Sequence, residues 1–281
     1  MKINLSDIAY NSTQHSHDSS WYSENSSRLS EYLTEVFSGD TANVALGSVG
    51  DLLIQNVKFG TISSRHLFGL DELILFAWYE MNSKRYKRCL DLGANIGVHS
   101  VVMSRLGFSV VAYEPDSNHI RLFKQTIKEN HVKNIKLRER AIGVKDGQLE
   151  FVRVLGNTTG SHLRGSKLEP YGELEVVKVE VDAILSILNE GFDFVKMDAE
   201  NCESNLIECL MPENFMNLEI MLEIGSPENA MKIFQQLGRL RISAFSQKNG
   251  WKKVTTLKDL PTSHREGSVF LTNSSFMDWQ C

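Results

Sequence analysis

The chain has 281 residues, 42% of them hydrophobic and 23% charged, with a formal net charge of -5. That length holds one large α/β domain or two small ones, and the composition excludes general disorder. The acidic balance speaks against a broad non-specific nucleic-acid surface, which needs clustered Lys and Arg. The cysteines Cys89, Cys202, Cys209 and Cys281 form no CxxC pair and no zinc-ligand spacing, so they read as free thiols of a reducing compartment.

Residues 1–27 are rich in Ser, Asn and His, lack the apolar core of a leader, and are expected to form a flexible polar tail in which His15 and His17 are solvated. No window reaches the roughly 18 apolar residues of a membrane span, and a cytoplasmic location is expected. Residues 28–82 are read as a cap. Within it, 28–37 has helical apolar spacing, 44–62 suggests a hairpin or edge strand broken by Gly47, Gly50 and Gly60, and 69–82 is a helix buried beside a sheet. From 83 to 281 strands and helices alternate. Strands are expected at 88–93, 109–115 and 135–142, as two alternating runs at 148–154 and 173–181, and at 192–198, 218–224, 240–246 and 267–273. Helices are expected at 98–107, 117–130, 182–189, 203–210 and 227–237. This order gives a mainly parallel, doubly wound α/β sheet.

Ligands of such sheets lie outside the carboxyl ends of the strands, which directs attention to the loop Asp91-Leu92-Gly93-Ala94-Asn95-Ile96-Gly97. Gly93 and Gly97 permit a tight turn and close backbone approach, and the next helix offers its N-terminal NH groups. The G-x-G-x-x-G of a nicotinamide dehydrogenase is missing, and a carboxylate at Asp91 would repel a pyrophosphate. It suits a cationic ligand instead, such as the amino group and sulfonium of S-adenosylmethionine. Glu114 ends the next strand 21 positions after Gly93, close to the roughly 20-residue offset at which an acid meets ribose hydroxyls. Taken singly, each acid is equally a helix-dipole or surface residue.

With Ala112-Tyr113-Glu114-Pro115, the asparagines Asn130 and Asn134 ahead of Ala141-Ile142-Gly143, and FVKMDAENCE at 194–203, this stretch resembles the FkbM family of methyltransferases over about 88–225. The resemblance implies a Rossmann-like class I methyltransferase fold, here with an N-terminal helix and hairpin extension. It implies S-adenosyl-L-methionine as cofactor and O-methylation of a hydroxyl on a sugar, glycan or related metabolite. It also implies a cofactor site drawn from Asp91, Gly93, Ala94, Asn95, Gly97, Glu114, Pro115, Ala141 and Asp198, with the turn at Arg140-Ala141-Ile142 near the adenine. His99, just inside the following helix, is a candidate contact for the cofactor carboxylate or a packed surface histidine. Asn201 stands where the family pattern has glycine, and asparagine is the next residue to tolerate a positive φ.

Methyl transfer to oxygen gains from holding donor and acceptor at near-attack distance, and a hydroxyl acceptor must also lose a proton. Asp198 and Glu200 follow one strand and Glu223 lies near the end of the next. Asp198 is therefore expected as the central catalytic or substrate-binding acid, with Glu200 and Glu223 as supports. Asp198 and Glu223 are equally hard oxygen donors for Mg2+, which leaves a metal open, and Glu200 and Glu203 equally suit a helix start. Lys196 reads as a buried partner of a carboxylate and His264 as a weaker candidate base. The Gly-rich 155–166 reads as a substrate loop or a plain hairpin, and Ser63 to His66 as a segment closing over the cofactor. The expected partner is a small-molecule or glycan acceptor, with nucleic acid disfavoured by charge and a homo-oligomer left open. Asp198-Ala199-Glu200-Asn201 lacks the D/N-P-P-Y/F of amino-directed DNA enzymes. The competing classes are an RNA ribose methyltransferase, with Lys196, Asp198 and Glu223 imitating part of a Lys-Asp-Lys-Glu set, and a cofactor-binding scaffold without turnover.

Overall fold

The computed structural model describes residues 2–166 and 172–279. Side chains of Asn4 and Ser19 accept from Ser6 N and Tyr22 N, starting α1 (Leu5–Tyr10) and α2 (Ser20–Val36). An antiparallel hairpin of β1 (Thr41–Leu46) and β2 (Gly50–Gln55) leads to α3 (Leu70–Met81), apolar on most faces and buried as its composition requires. The expectation of a flexible tail at 1–27 is corrected. Leu5, Ile8 and Ala9 recur at helical spacing and bury into the same core as α3, Trp251 and Trp279. His15 is fully buried among the rings of Trp21, Trp251 and Trp279. The cap at 28–82 shares that core too, so it is continuous with the strands and helices that follow it.

The chain then builds β3 (Arg88–Leu92), α4 (Val98–Arg105), β4 (Ser109–Tyr113), α5 (Ser117–Glu129) and β5 (Ile135–Arg138). The single strand expected at 135–142 is divided. After β5 the chain leaves the main sheet, and β6 (Ala141–Gly143) opens a second one with β7 (Gly147–Val154), β8 (His162–Leu163) and β9 (Leu174–Ala183), in the order β6-β9-β7-β8. The two alternating runs are the antiparallel pair β7 and β9, half exposed as their alternation requires. The main sheet resumes through α6 (Ile184–Leu188), β10 (Phe194–Met197), α7 (Glu203–Glu208), β11 (Glu219–Glu223), α8 (Pro227–Leu240), β12 (Ser243–Ser246), β13 (Lys252–Lys253) and β14 (Ser268–Thr272).

Its eight strands run β13-β12-β14-β11-β10-β3-β4-β5. The five from β11 to β5 are parallel, and β14, inserted beside β11, is antiparallel. Strand order reverses between β3 and β10, which opens the crevice where α/β sheets bind ligands. Cys89 and Cys202 are buried and Cys209 is half-buried; Cys281 lies outside the described residues. No helix among the described residues is long and apolar enough to cross a membrane.

His15 gives this fold a pH signature. Its Nε2 donates to Ile8 O at 2.9 Å and its Nδ1 accepts from Trp251 Nε1 at 2.9 Å, which fits only the neutral ring. Burial lowers its pKa from 6.5 to about 4. The unfolded chain therefore takes up this proton first, and the associated stability, present above pH 6.5, is lost as pH falls toward 4. Denaturant titrations of the wild type should lose about 3 kcal/mol across that window, and His15→Gln should flatten this part of the profile.

Candidate active site

The loop after β3 turns with Gly93 at φ 71°, Asn95 at 53° and Gly97 at 85°. Gly93 N and Ala94 N both donate to Tyr113 O, at 3.1 and 3.0 Å. A Cβ on Gly93 would stand 1.9 Å from Asp198 O, and one on Gly97 would stand 2.0 Å from the Phe123 ring. Both glycines are thus required by contact as well as by dihedral. Glu114 is buried, with Oε2 accepting from Asn95 N and Oε1 from Asp116 N, each at 2.8 Å. One carboxylate therefore ties the loop to the end of β4.

This loop borders a solvent-open cavity that encloses about 650 Å3. Of the expected cofactor residues, Gly93, Asn95, Glu114, Pro115, Ala141 and Asp198 line it, together with Arg140 and Ile142. Asp91, Ala94, Gly97 and His99 are not among the residues that line it. Asp91 is fully buried under the loop, where Oδ2 accepts from Ser100 Oγ at 2.5 Å and Oδ1 lies 3.8 Å from Lys196 Nζ without a hydrogen bond. Ala94 and Gly97 shape the backbone turn. His99 is held between Tyr79 OH at 2.9 Å and Glu72 Oε2 at 2.8 Å. The stretch 155–166 forms a 3-10 turn at Thr158–Gly160 leading into β8, and it walls this same cavity with Thr158, Thr159, Ser161 and His162. His119 and Phe151 line it as well. Sequence reasoning had no signal for His119, because only the packing of α5 against the turn brings it there.

A second cavity, of about 610 Å3, adjoins the first and shares Asp198 with it. Its wall combines His66, Asp71 and Glu72 from the cap with Lys196 on β10, Glu223 on β11 and His264 ahead of β14. Asp198 Oδ2 accepts from Lys196 Nζ at 3.3 Å, leaving Oδ1 unpaired. Glu223 Oε1 lies 2.9 Å from His264 Nδ1. Burial and the nearby charge of Asp198 raise the Glu223 pKa, and the hydrogen bond to Glu223 raises that of His264. Asp198 and Glu223 are thus brought together as expected, whereas Glu200 turns into the first cavity at φ 50°. Asn201 follows at φ 74°, the left-handed geometry anticipated for that position. Glu203 holds the start of α7 through Ala199 N and Asn229 Nδ2, both at 2.7 Å, and burial raises its pKa to about 7. His66 reaches the second cavity, not the cofactor loop. Lys196 stands beside Asp198 and His264 beside Glu223, and among the described residues no group of three or more His, Cys, Asp or Glu side chains is placed to hold a metal ion.

A parallel sheet with this crossover, a glycine loop after its central strand and an acid closing the next strand define a class I methyltransferase fold. The chain matches the profile of the methyltransferase FkbM domain over residues 91–236, just over half its length. It belongs to the FkbM family of S-adenosylmethionine-dependent methyltransferases. No curated protein matches it. Among solved structures it is similar to a SAM-dependent methyltransferase from Agrobacterium tumefaciens, with 14% identity and a TM-score of 0.45 over 83% of this chain and 70% of that one. It is also similar to a methyltransferase FkbM from Methylobacillus flagellatus KT, with 10% identity and a TM-score of 0.41 over 90% of this chain and 61% of that one. A third is a ribosomal protein L11 methylase from Lactobacillus delbrueckii subsp. bulgaricus, with 13% identity and a TM-score of 0.38 over 70% and 75%.

The contact of Gly93 with Asp198 is directly testable. Gly93→Ala combines a left-handed backbone with a collision against a backbone oxygen, and should cost about 2–4 kcal/mol in a urea titration. An unchanged midpoint would mean that β3 and β10 are less closely apposed than described.

Proposed function

We propose that the protein is an O-methyltransferase that binds S-adenosylmethionine in the first cavity and a hydroxyl-bearing acceptor, a sugar, glycan or related metabolite, in the second. The observation that carries this reading is Asp198, which lines both cavities with one oxygen held by Lys196 and the other free. The first cavity fits the cofactor: its floor is glycine backbone, and the buried Glu114 carboxylate is aligned by two backbone NH groups and available to ribose hydroxyls. Ala141 and Ile142 with Phe151 and Leu163 offer apolar surface for a base. S-adenosylmethionine, when bound, supplies the methyl group. Asp198 orients the acceptor by taking a hydrogen bond from its hydroxyl, and the Glu223–His264 pair receives the proton. Glu200, in the first cavity, assists cofactor binding instead of acting on the acceptor.

Asp198→Asn should lower kcat by about 100-fold or more while calorimetry still detects S-adenosylmethionine binding. A folded Asp198→Asn protein with full turnover would remove this assignment. The raised pKa values of Glu223 and His264 mean that the pair keeps its proton into the neutral range and can accept another only after releasing it. The expected kcat/KM therefore climbs with pH through neutrality, instead of levelling off where an ordinary carboxylate ionises. Glu223→Gln should displace that limb.

A further inference from the structure

The outer wall of the first cavity is anchored by a segment 30 residues ahead of the glycine loop and outside the family match at 91–236. Residues 58–63 form a turn closed on itself by Phe59 N donating to Ile62 O at 2.7 Å and by a bridge between Lys58 and Ser63. This turn grips the one at Thr158–Gly160. Thr61 N donates to Gly156 O at 3.1 Å and Thr158 N to Phe59 O at 3.0 Å, on either side of a Gly60–Asn157 bridge. Gly60 has φ +94°, and a Cβ there would lie 1.7 Å from the Gly156 oxygen, so the two backbones meet only because the residue is glycine.

The contact continues inward. Thr158 Oγ1 lies 3.0 Å from His119 Nε2, and His119 Nδ1 lies 3.6 Å from Glu114 Oε1. The Phe59 ring meets the buried His119 ring edge-on at 5.4 Å. Gly60, Thr158, His119 and Glu114 thus form one connected chain whose last three members line the cavity. We propose that the 59–61 segment is a positioning element of the cofactor site, a strap that sets Thr158 and His119 and through them the Glu114 carboxylate against the ribose. This rests on the reading of the first cavity as the adenosyl site.

The test is calorimetric titration of the full chain with S-adenosylhomocysteine and its 2′-deoxy analogue, alongside thermal melting, for wild type, Gly60→Val, Thr158→Val and Gly238→Ala. Gly238, in α8, has open space around its Cβ position and serves as a glycine substitution away from the strap. Gly60→Val should weaken S-adenosylhomocysteine binding about tenfold, and Thr158→Val, which keeps its backbone donor, by a smaller factor. Gly238→Ala should bind as wild type does. The preference of the wild type for the ribose over the 2′-deoxyribose ligand should shrink in both strap variants, a coupling that a merely structural role would not produce. Equal affinity in a folded Gly60→Val protein overturns the proposal. So does weaker binding with the deoxy preference intact, or a wild type that binds both ligands equally. If Gly60→Val does not fold, Thr158→Val decides by the same two readouts. A wild type that binds neither ligand rejects the adenosyl reading itself.

Discussion

One buried ammonium holds the site together. Lys196 on β10 points into the crossover between β3 and β10, with Asp198 Oδ2 at 3.3 Å, Gly93 O at 3.4 Å and Asp91 Oδ1 at 3.8 Å. Burial alone would strip its proton, but Asp198 and Asp91 outweigh that and raise its pKa. The reverse dependence is as strong, since Asp91 is fully buried and an uncompensated carboxylate there would be costly. One cation thus carries the charge of the acid beneath the glycine loop and of the acid between the cavities, and it binds the loop carbonyl as well.

That junction explains why the N-terminal region belongs to the catalytic fold. The second cavity has β10 and β11 on one side only; its other wall is the start of α3, with Asp71 and Glu72. Asp71 is locked by His17 at 2.9 Å, Tyr22 at 2.8 Å and Gln247 at 2.5 Å, which ties the first twenty residues to the segment ahead of β14. The ring cluster around His15 fastens the same ends together. Removing the residues up to the end of α2 would therefore take His17 and Tyr22 from Asp71 on the wall of the second cavity while leaving the glycine loop its own local contacts.

The parts legible in the sequence are those with a local cause. The alternation of strands and helices from 88 to 130, the turn at Gly93 and Gly97, and Glu114 at the end of β4 all follow from spacing and from backbone chemistry within a few residues. The left-handed Asn201 was legible only through the family resemblance, since it stands where that pattern has glycine. Residues 1–27 were misread because their few apolar residues are diluted by Ser and Asn, and a short helix shows its apolar face only when α3 covers it. His15 and His17 look solvated in a polar stretch, yet each is fixed by a partner far along the chain, Trp251 for one and Asp71 for the other. Asp91 shows the limit of motif reading in the opposite sense. Its position in the loop suggested a ligand contact, but the side chain points beneath the turn and serves Lys196 and Ser100.

The two cavities also differ in how complete they are. Glu114 has both oxygens engaged by backbone NH groups, so its position is set before any ligand arrives, the condition under which a fixed dipole or charge costs no reorganisation. In the second cavity Glu72, Asp198 and Glu223 each give one oxygen to a cationic or titratable partner and keep the other unpaired. Those acids come from α3, the residue after β10, and β11, separated by more than a hundred positions between Glu72 and Asp198, so no short motif can encode their arrangement. A site built from one loop and the strand after it carries its ligand in its spacing. A site assembled from three distant elements shows what it could hold only through the shape and hydrogen-bonding capacity that those free oxygens leave.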